Sequence, residues 1–443
     1  MTALRKALAA LFLVFATVAF ALTPGERVVL FSSIRPVWTA NFLGAMSLPS
    51  GLTFSRSSTA TYFNSSGVLS TASNDTPRFD YDPSTLAPRG LLMEEARTNL
   101  LPYSNLFTSW TITAGTPTGN LVGPDGVTNS GWTFTENASG SNQWQFYRSF
   151  STTSGTYTMS AFVKAGTQRY MQFGADTGTH SAWVTIDTTN FSTSTGVGGS
   201  ATIASAPVVQ TIANGWYRVS FAFTLPTTVT TYYKAGLAGS TTPGSFIPTY
   251  AGTSKTGSFY GIQLEAGSFP TSYIPNATAS TVTRTADVVA FAGVPLAALQ
   301  GAAFSTVFEF TPATYTAAGG NDFPVGAYIN GGARDTGYLD HGNGKFSAWN
   351  GSQALQTSNS ATVGAANRIA FGGSAAGRSL VGNGGTVAMD ANAPIGIAVT
   401  SSNLGYNGTG PSYFSGWYRS AAFYNQRLPD AKLKSLSVVG APW

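Results

Sequence analysis

Apolar and polar residues alternate with a period of two along most of the chain. In Trp216–Leu225, Tyr217, Val219, Phe221, Phe223 and Leu225 share one face, while Arg218, Ser220, Ala222 and Thr224 share the other. That pattern predicts a half-buried antiparallel strand. Tyr157, Met159, Ala161 and Val163 repeat it, as do Tyr260, Ile262 and Leu264, and turn signals such as Asn214-Gly215 separate the runs. Between Leu106 and Pro275, residues 106–275, the short strands suit one jelly-roll β-sandwich. A second β pattern starts near Ala303, where Phe304, Thr306, Phe308 and Phe310 alternate with Ser305, Val307, Glu309 and Thr311. It runs to Gly416–Tyr424 and a short helical turn at Lys432–Leu436, predicting a second sandwich over 303–443. Residues 276–302 read as a connector. Residues 23–105 read as a short N-terminal module with a strand around Phe79 and Tyr81, turns at Asp82-Pro83 and Pro88-Arg89-Gly90, and an extended segment or helical turn from Leu91 to Leu101. No fixed-period repeat is present.

Met1 to Leu22 begins with Arg5 and Lys6, continues as a nearly unbroken apolar run, and carries the small-x-small triplet Ala19-Phe20-Ala21. This fits a secretory signal peptide and equally an apolar helix retained as an anchor. The expected fold is therefore all-β: two antiparallel sandwiches in tandem after a short module and an apolar N-terminal helix.

Composition narrows the function. Only 9% of the 443 residues are charged, so the solvent face must be built from hydroxyls and amides; coiled coils and helical bundles are excluded. The 29 Phe, 19 Tyr and 9 Trp supply a large core, which excludes wholesale disorder. The net charge of +5 is scattered, with no basic stripe for nucleic acid. Cysteine is absent, which removes disulfides, thiolate metal sites and a Cys nucleophile together.

Catalytic constellations are equally scarce. A Ser-His-Asp triad would need His180 or His341, and no Gly-x-Ser-x-Gly elbow accompanies either. A glycosidase needs two carboxylates across a groove. Glu265 and Glu309 are strand residues in different predicted domains and make a poor pair, so no enzymatic activity is expected. Oxygen ligands suit a structural Ca²⁺, for which Asp176, Asp187 and Glu265 are the candidates. Aromatics offer the remaining lead. A flat ring covers the apolar face of a sugar while amides and hydroxyls read its edge. Trp132, Trp144, Tyr147, Tyr170, Trp183 and Tyr233 lie among such neighbours, most clearly in Gln143-Trp144-Gln145, and Trp349 and Tyr406 do so in the last domain. Core packing is the competing reading for each. Arg56, Arg78, Asp80, Asp82, Glu94, Glu95 and Arg97 concentrate charge in a charge-poor chain, which predicts an ion-pair network fixing local geometry.

Three stretches carry a resemblance. Phe54-Ser55-Arg56-Ser57-Ser58-Thr59-Ala60-Thr61-Tyr62, Pro77-Arg78-Phe79-Asp80-Tyr81-Asp82 and Gly90-Leu91-Leu92-Met93-Glu94-Glu95-Ala96-Arg97-Thr98-Asn99-Leu100 resemble a module of bacteriophage and prophage tail fibres, spikes and related virion proteins. Tyr260–Gly267, Thr271–Pro275 and Thr283–Asp287 resemble the last strand and exit of the carbohydrate-binding-module-like sandwiches that follow it. Residues 303–443 resemble a laminin-G/concanavalin-like lectin domain. The resemblance implies a non-enzymatic virion fibre or spike protein that binds cell-surface polysaccharide for host adsorption. A homotrimer contacting other virion proteins is the expected assembly. A structural decoration or connector protein and a secreted bacterial glycan-binding protein are the alternatives.

Overall fold

The alternating runs do form strands. The computed structural model describes residues 34–443 apart from 139, 240–244, 315–322, 331–332, 341–342, 351–353, 394–400 and 407–412. The expected helix at 1–22 and His341 lie outside the described residues. Among the described residues the molecule is all-β, with two short α-helices, Gly293–Leu299 and Asp430–Leu436.

One sandwich is built from residues 111–266. Its first sheet runs in the order Thr202–Thr211, Trp216–Leu225, Gly155–Lys164, Thr256–Ala266, Gly131–Glu136 and Gly115–Leu121. Its second runs Ser192–Gly198, Ser181–Asp187, Tyr170–Asp176, Val229–Ala238, Gln145–Thr152 and Thr111–Thr113. Met159, Val163, Phe221 and Leu264 of the first sheet pack against Phe146, Phe173, Val184 and Leu237 of the second in one buried cluster. The predicted face of Trp216–Leu225 and that of Tyr157–Val163 are both in this core. Tyr260 breaks the expected alternation with Ile262 and Leu264. Gly261 has φ +56° and the pairing slips between Ser160 and Phe162, so a bulge turns Phe259 inward and sends Tyr260 to the opposite face.

The second sandwich draws on both ends of the chain. One sheet runs Ala388–Asp390, Gly377–Gly382, Asn367–Ser374, Ala303–Pro312, Gly416–Tyr424, Pro88–Met93 and Arg78–Tyr81, with Trp38–Asn41 also paired to Gly416–Tyr424. The other runs Leu52–Ser55, Val288–Phe291, Ser401–Leu404, Phe323–Asn330, Ala333–Leu339, Lys345–Trp349 and Ala354–Ser360. Phe42, Phe79, Leu91 and Met93 share a core with Phe291, Phe308, Phe346 and Phe423. The sheets thus divide the chain differently from the sequence pattern. Segments of 23–105 and 276–302 supply strands to the C-terminal sandwich, and the first sandwich is an insertion between Met93 and Val288. Pattern reading could not show this, because alternation identifies a strand and not its partner.

The insertion enters and leaves through a neck. Arg97–Asn99 pairs antiparallel with Val282–Arg284. Around it the predicted ion network forms, enlarged by Arg284 and Asp287. Arg56 Nη1 lies 3.0 Å from Asp287 Oδ1, and Arg78 bridges Asp287 and Glu94, the latter at 2.8 Å. Arg284 Nε is 3.5 Å from Glu94, and Arg97 Nε donates to Glu95 at 2.6 Å. All of these side chains are buried. Gly267, at φ +115°, leaves the space that the Arg97 guanidinium fills. Asp80 and Asp82 stand outside the network; Asp82 pairs with Arg89 instead. The hairpin of Ala60–Phe63 and Leu69–Ala72 packs Phe63 and Leu69 against Phe162, Trp216, Tyr260 and Tyr273 of the inserted sandwich.

Candidate functional site

Strand parity decides which side chains of the second sheet of the inserted sandwich look outward. Phe146, Met171, Phe173, Val184 and Tyr233 point into the core. Their neighbours therefore form the outer face: Gln145, Tyr147 and Ser149 on one strand, Tyr232 and Lys234 on the next, then Tyr170, Gln172 and Asp176, and finally Ser181, Trp183, Thr185 and Asp187. Register aligns Tyr147 with Lys234, Ser149 and Asp176 with Tyr232, and Tyr170 with Asp187.

The open part of this face centres on two rings. Tyr147 and Tyr232 meet edge to face with centroids 5.6 Å apart, and Tyr232 is 38% exposed. Lys234 Nζ lies 5.9 Å from the Tyr232 centroid and 2.6 Å from Asp176 Oδ2. Ser149 flanks the rings, and Gln145 presents a buried Oε1 with no hydrogen-bond partner. Further along the face, Phe246 stacks flat on Trp183 at 5.5 Å and leaves the indole 3% exposed. Gln172 fixes that cover: its Oε1 accepts the Ile247 N–H at 2.6 Å and its Nε2 donates to Thr185 Oγ1 at 2.8 Å. The Trp183 Nε1–H beneath it is buried and unpaired.

The eight sequence candidates therefore separate. Tyr147, Tyr170 and Trp183 share the outer face, with Tyr147 and Tyr170 half-buried and Trp183 capped by Phe246. Trp144 and Tyr233 are core residues: Trp144 Nε1 donates to the Tyr250 carbonyl at 3.1 Å and the Tyr233 hydroxyl pairs with Thr152 Oγ1 at 2.9 Å. The glutamines beside Trp144 disguised an inward residue. Trp132 is half-buried against Phe107, its Nε1 donating to the Asn105 carbonyl at 3.0 Å. Trp349 is 39% exposed and Tyr406 stacks on Tyr413 at 4.6 Å, both in the other sandwich. Sequence reasoning missed Tyr232, Lys234 and Phe246. The signal for Tyr232 was present, since Ala235 and Leu237 fix Tyr233 as the inward member of the adjacent pair.

The three candidate calcium ligands do not converge. Asp176 is paired with Lys234, and Asp187 takes a two-pronged contact from Arg169, with Nη2 at 2.7 Å. Those two lie roughly 20 Å apart along the strands, at ~3.3 Å per residue. Glu265 is fully buried in the other sheet, where the Thr271 N–H, the Thr271 hydroxyl and Gln263 occupy it. Among the described residues no cluster of three His, Asp or Glu could hold a metal.

A separate cleft of about 600 Å³ opens where the inserted sandwich, the hairpin and the second sandwich meet. Three carboxyls line it. Asp80 accepts the Phe63 N–H at 2.7 Å and the Trp417 indole N–H at 2.8 Å, yet burial pushes its pKa up to about 6. Burial also opposes the charge of Glu94, but Arg284, Arg78 and Ser272 outweigh it and hold this carboxyl down at about 2. Asp82 is held well below the ordinary carboxylate range: burial is outweighed by donors from Thr85, Ser84 and Arg89. Each oxygen of these three groups thus already accepts from a protein donor.

Neither a protein family nor a curated protein matches the chain. Among solved structures it is similar to the CBM40 of Ruminococcus gnavus IT-sialidase bound to α2,3-sialyllactose, at 18% identity and TM-score 0.28 over 32% of this chain and 86% of that one. It is similar to domain 4 of AbnA, an extracellular GH43 arabinanase from Geobacillus stearothermophilus in complex with arabinotriose, at 14% identity and TM-score 0.29 over 39% of this chain and 83% of that one. It is also similar to domains LG4-5 of the mouse laminin α1 chain, at 8% identity and TM-score 0.23 over 62% of this chain and 86% of that one.

Proposed function

We propose that this chain is a non-catalytic glycan-binding protein whose inserted sandwich presents the Tyr147–Tyr232 platform to saccharides. The observation that supports this most directly is the platform itself: an exposed Tyr232 meeting a half-buried Tyr147 on a rigid sheet, flanked by the Lys234–Asp176 ion pair and Ser149. Rings of this kind cover the apolar face of a pyranose at small entropic cost, and the polar rim reads its hydroxyls. The site is shallow, so useful affinity requires repetition in an oligomer, for which a trimer is the proposed form. The resemblance carried by residues 54–100 supports placing the chain on a phage particle, as a fibre or spike component adsorbing to host polysaccharide. The absence of bond cleavage is part of the same reading. Its support is that Asp80, Asp82 and Glu94, the carboxyls of the junction cleft, are each held in place by protein donors.

The test is a glycan array probed with the full chain and with a Tyr147→Ala/Tyr232→Ala double variant. Loss of neutral-saccharide binding in the variant is the expected result. Neutral-saccharide binding retained in the variant, or no binding by the native chain to any envelope polysaccharide, refutes the assignment of this face.

A further inference from the structure

The junction cleft holds a cation that the fold leaves incompletely used. Arg218 lies on Trp216–Leu225, directed away from the core, and lines the cleft. Its Nη2 donates to Ser160 Oγ at 3.1 Å and to the Thr271 carbonyl at 2.7 Å. Its Cζ lies 5.5 Å from the centre of the Phe162 ring, and among the described residues its Nε is buried without an acceptor and only its Nη2 is hydrogen-bonded. Among the described residues no carboxylate comes within 4.0 Å of it, whereas Arg56, Arg78, Arg89, Arg97 and Arg284 around the same junction are all ion-paired. Burial lowers the pKa of Arg218, and the more distant Glu265 and Glu94 offset this only in part.

The remaining lining is neither sealed nor uniformly apolar. Trp417 and Tyr62 offer half-buried rings, while Ser84, Gln210 and Thr211 offer hydroxyl and amide groups. The volume of about 600 Å³ falls within the range of small-molecule sites, roughly 300–1,000 Å³. A guanidinium short of acceptors in a partly dry cleft gains most from a carboxylate, which it binds through charge-assisted hydrogen bonds.

We propose that this cleft is a second saccharide site, selective for acidic sugars, in which Arg218 holds the sugar carboxylate and Trp417 and Tyr62 flank the ring. The proposal rests on the glycan-binding reading and deepens it. Of the acidic groups facing the ligand, Asp82 and Glu94 are neutralised by Arg89 and Arg78. Asp80 is held by the Phe63 N–H and the Trp417 indole N–H.

The experiment is calorimetric titration of the full chain with digalacturonate and with its neutral counterpart galactobiose. Digalacturonate is expected to bind at least tenfold more tightly, the low end for a charge-assisted hydrogen bond. Arg218→Gln is expected to remove that preference and leave binding at the Tyr147–Tyr232 platform unchanged. If Arg218→Gln does not fold, Val208→Trp reads the same site, because Val208 is 62% exposed on the cleft wall and its enlargement obstructs the mouth. Equal binding of the two sugars, a preference that survives both variants, or selective binding of a peptide C-terminal carboxylate overturns the proposal. Binding of neutral glycans without the acidic preference overturns this inference alone; failure of every saccharide overturns the proposed function with it.

Discussion

Replacing Arg78 by Met tests whether the neck joins the two sandwiches. Arg78 is fully buried and donates to Glu94 Oε2, the Thr61 carbonyl, Ser272 Oγ and Asp287 Oδ2. These acceptors lie on the hairpin, the two neck approaches and the exit of the inserted sandwich. Methionine fills most of the volume but leaves Glu94 and Asp287 buried with one cation fewer. Breaking a buried pair from one side costs about 3–5 kcal/mol. Arg56 and Arg284 still serve Asp287 and Glu94, so the lower end, about 3 kcal/mol, is expected. That is a large share of a typical total of ~5–15 kcal/mol. Urea unfolding monitored by tryptophan fluorescence should show a lowered first midpoint. Adding Glu94→Gln and Asp287→Asn should recover part of the loss, because the stranded charges are then gone. A change within about 0.5 kcal/mol for Arg78→Met would refute the reasoning, since surface-like positions behave that way.

Asp80 and Glu94, perturbed in opposite directions, give stability a pH optimum on the acid side. Asp80, raised to about 6, contributes stability that is complete below its ordinary 3.8 and is lost as pH rises through 6; Glu94, lowered to about 2, contributes above 4.5 and loses it as pH falls through 2. A tenfold change in proton affinity on folding is worth about 1.4 kcal/mol, so each carboxyl contributes roughly 3 kcal/mol. Urea midpoints should therefore peak near pH 4–5, and a steady rise from pH 5 to 8 would contradict this. Trp183→Phe removes an indole N–H that has no acceptor under Phe246; because an orphaned donor costs about 1–3 kcal/mol, the melting temperature should hold or rise despite the smaller ring, and a drop as large as that of a Leu→Ala core change would show the indole is paired. Chelation with EDTA should leave the melting temperature unchanged, because Asp176, Asp187 and Glu265 are each matched by protein donors; a clear destabilisation would show a metal site there.

Much of the fold was legible in residue alternation. The strands at Gly155–Lys164, Trp216–Leu225 and Ala303–Pro312 and the closing helix lie where the pattern puts them. Their apolar faces are the faces that pack. The insertion was not legible, because Pro88–Met93 and Val288–Phe291 have unremarkable strand patterns whose partners lie far along the chain. A clue was nonetheless present in the charges. Arg56, Arg78 and Glu94 near one end of the insertion and Arg284 and Asp287 near the other are rare ions in a charge-poor chain, and they meet in one buried network. The site was legible only to the level of a face. Tyr147 and Tyr170, chosen for their polar neighbours, lie on the outer face, but the same rule selected Trp144, whose glutamines flank a ring that turns inward. Arg218 was invisible for a different reason: that no carboxylate among the described residues reaches it is a property of three dimensions.

We propose that the Tyr147–Tyr232 platform binds saccharide and that the chain leaves it uncleaved. Prolonged incubation of the full chain with an oligosaccharide it retains, followed by mass spectrometry of the sugar and chemical-shift mapping on the protein, addresses both halves together. Intact sugar and shifts concentrated on residues 145–149 and 232–234 are expected. Shortened oligosaccharides, or shifts confined to the other sandwich, would contradict it.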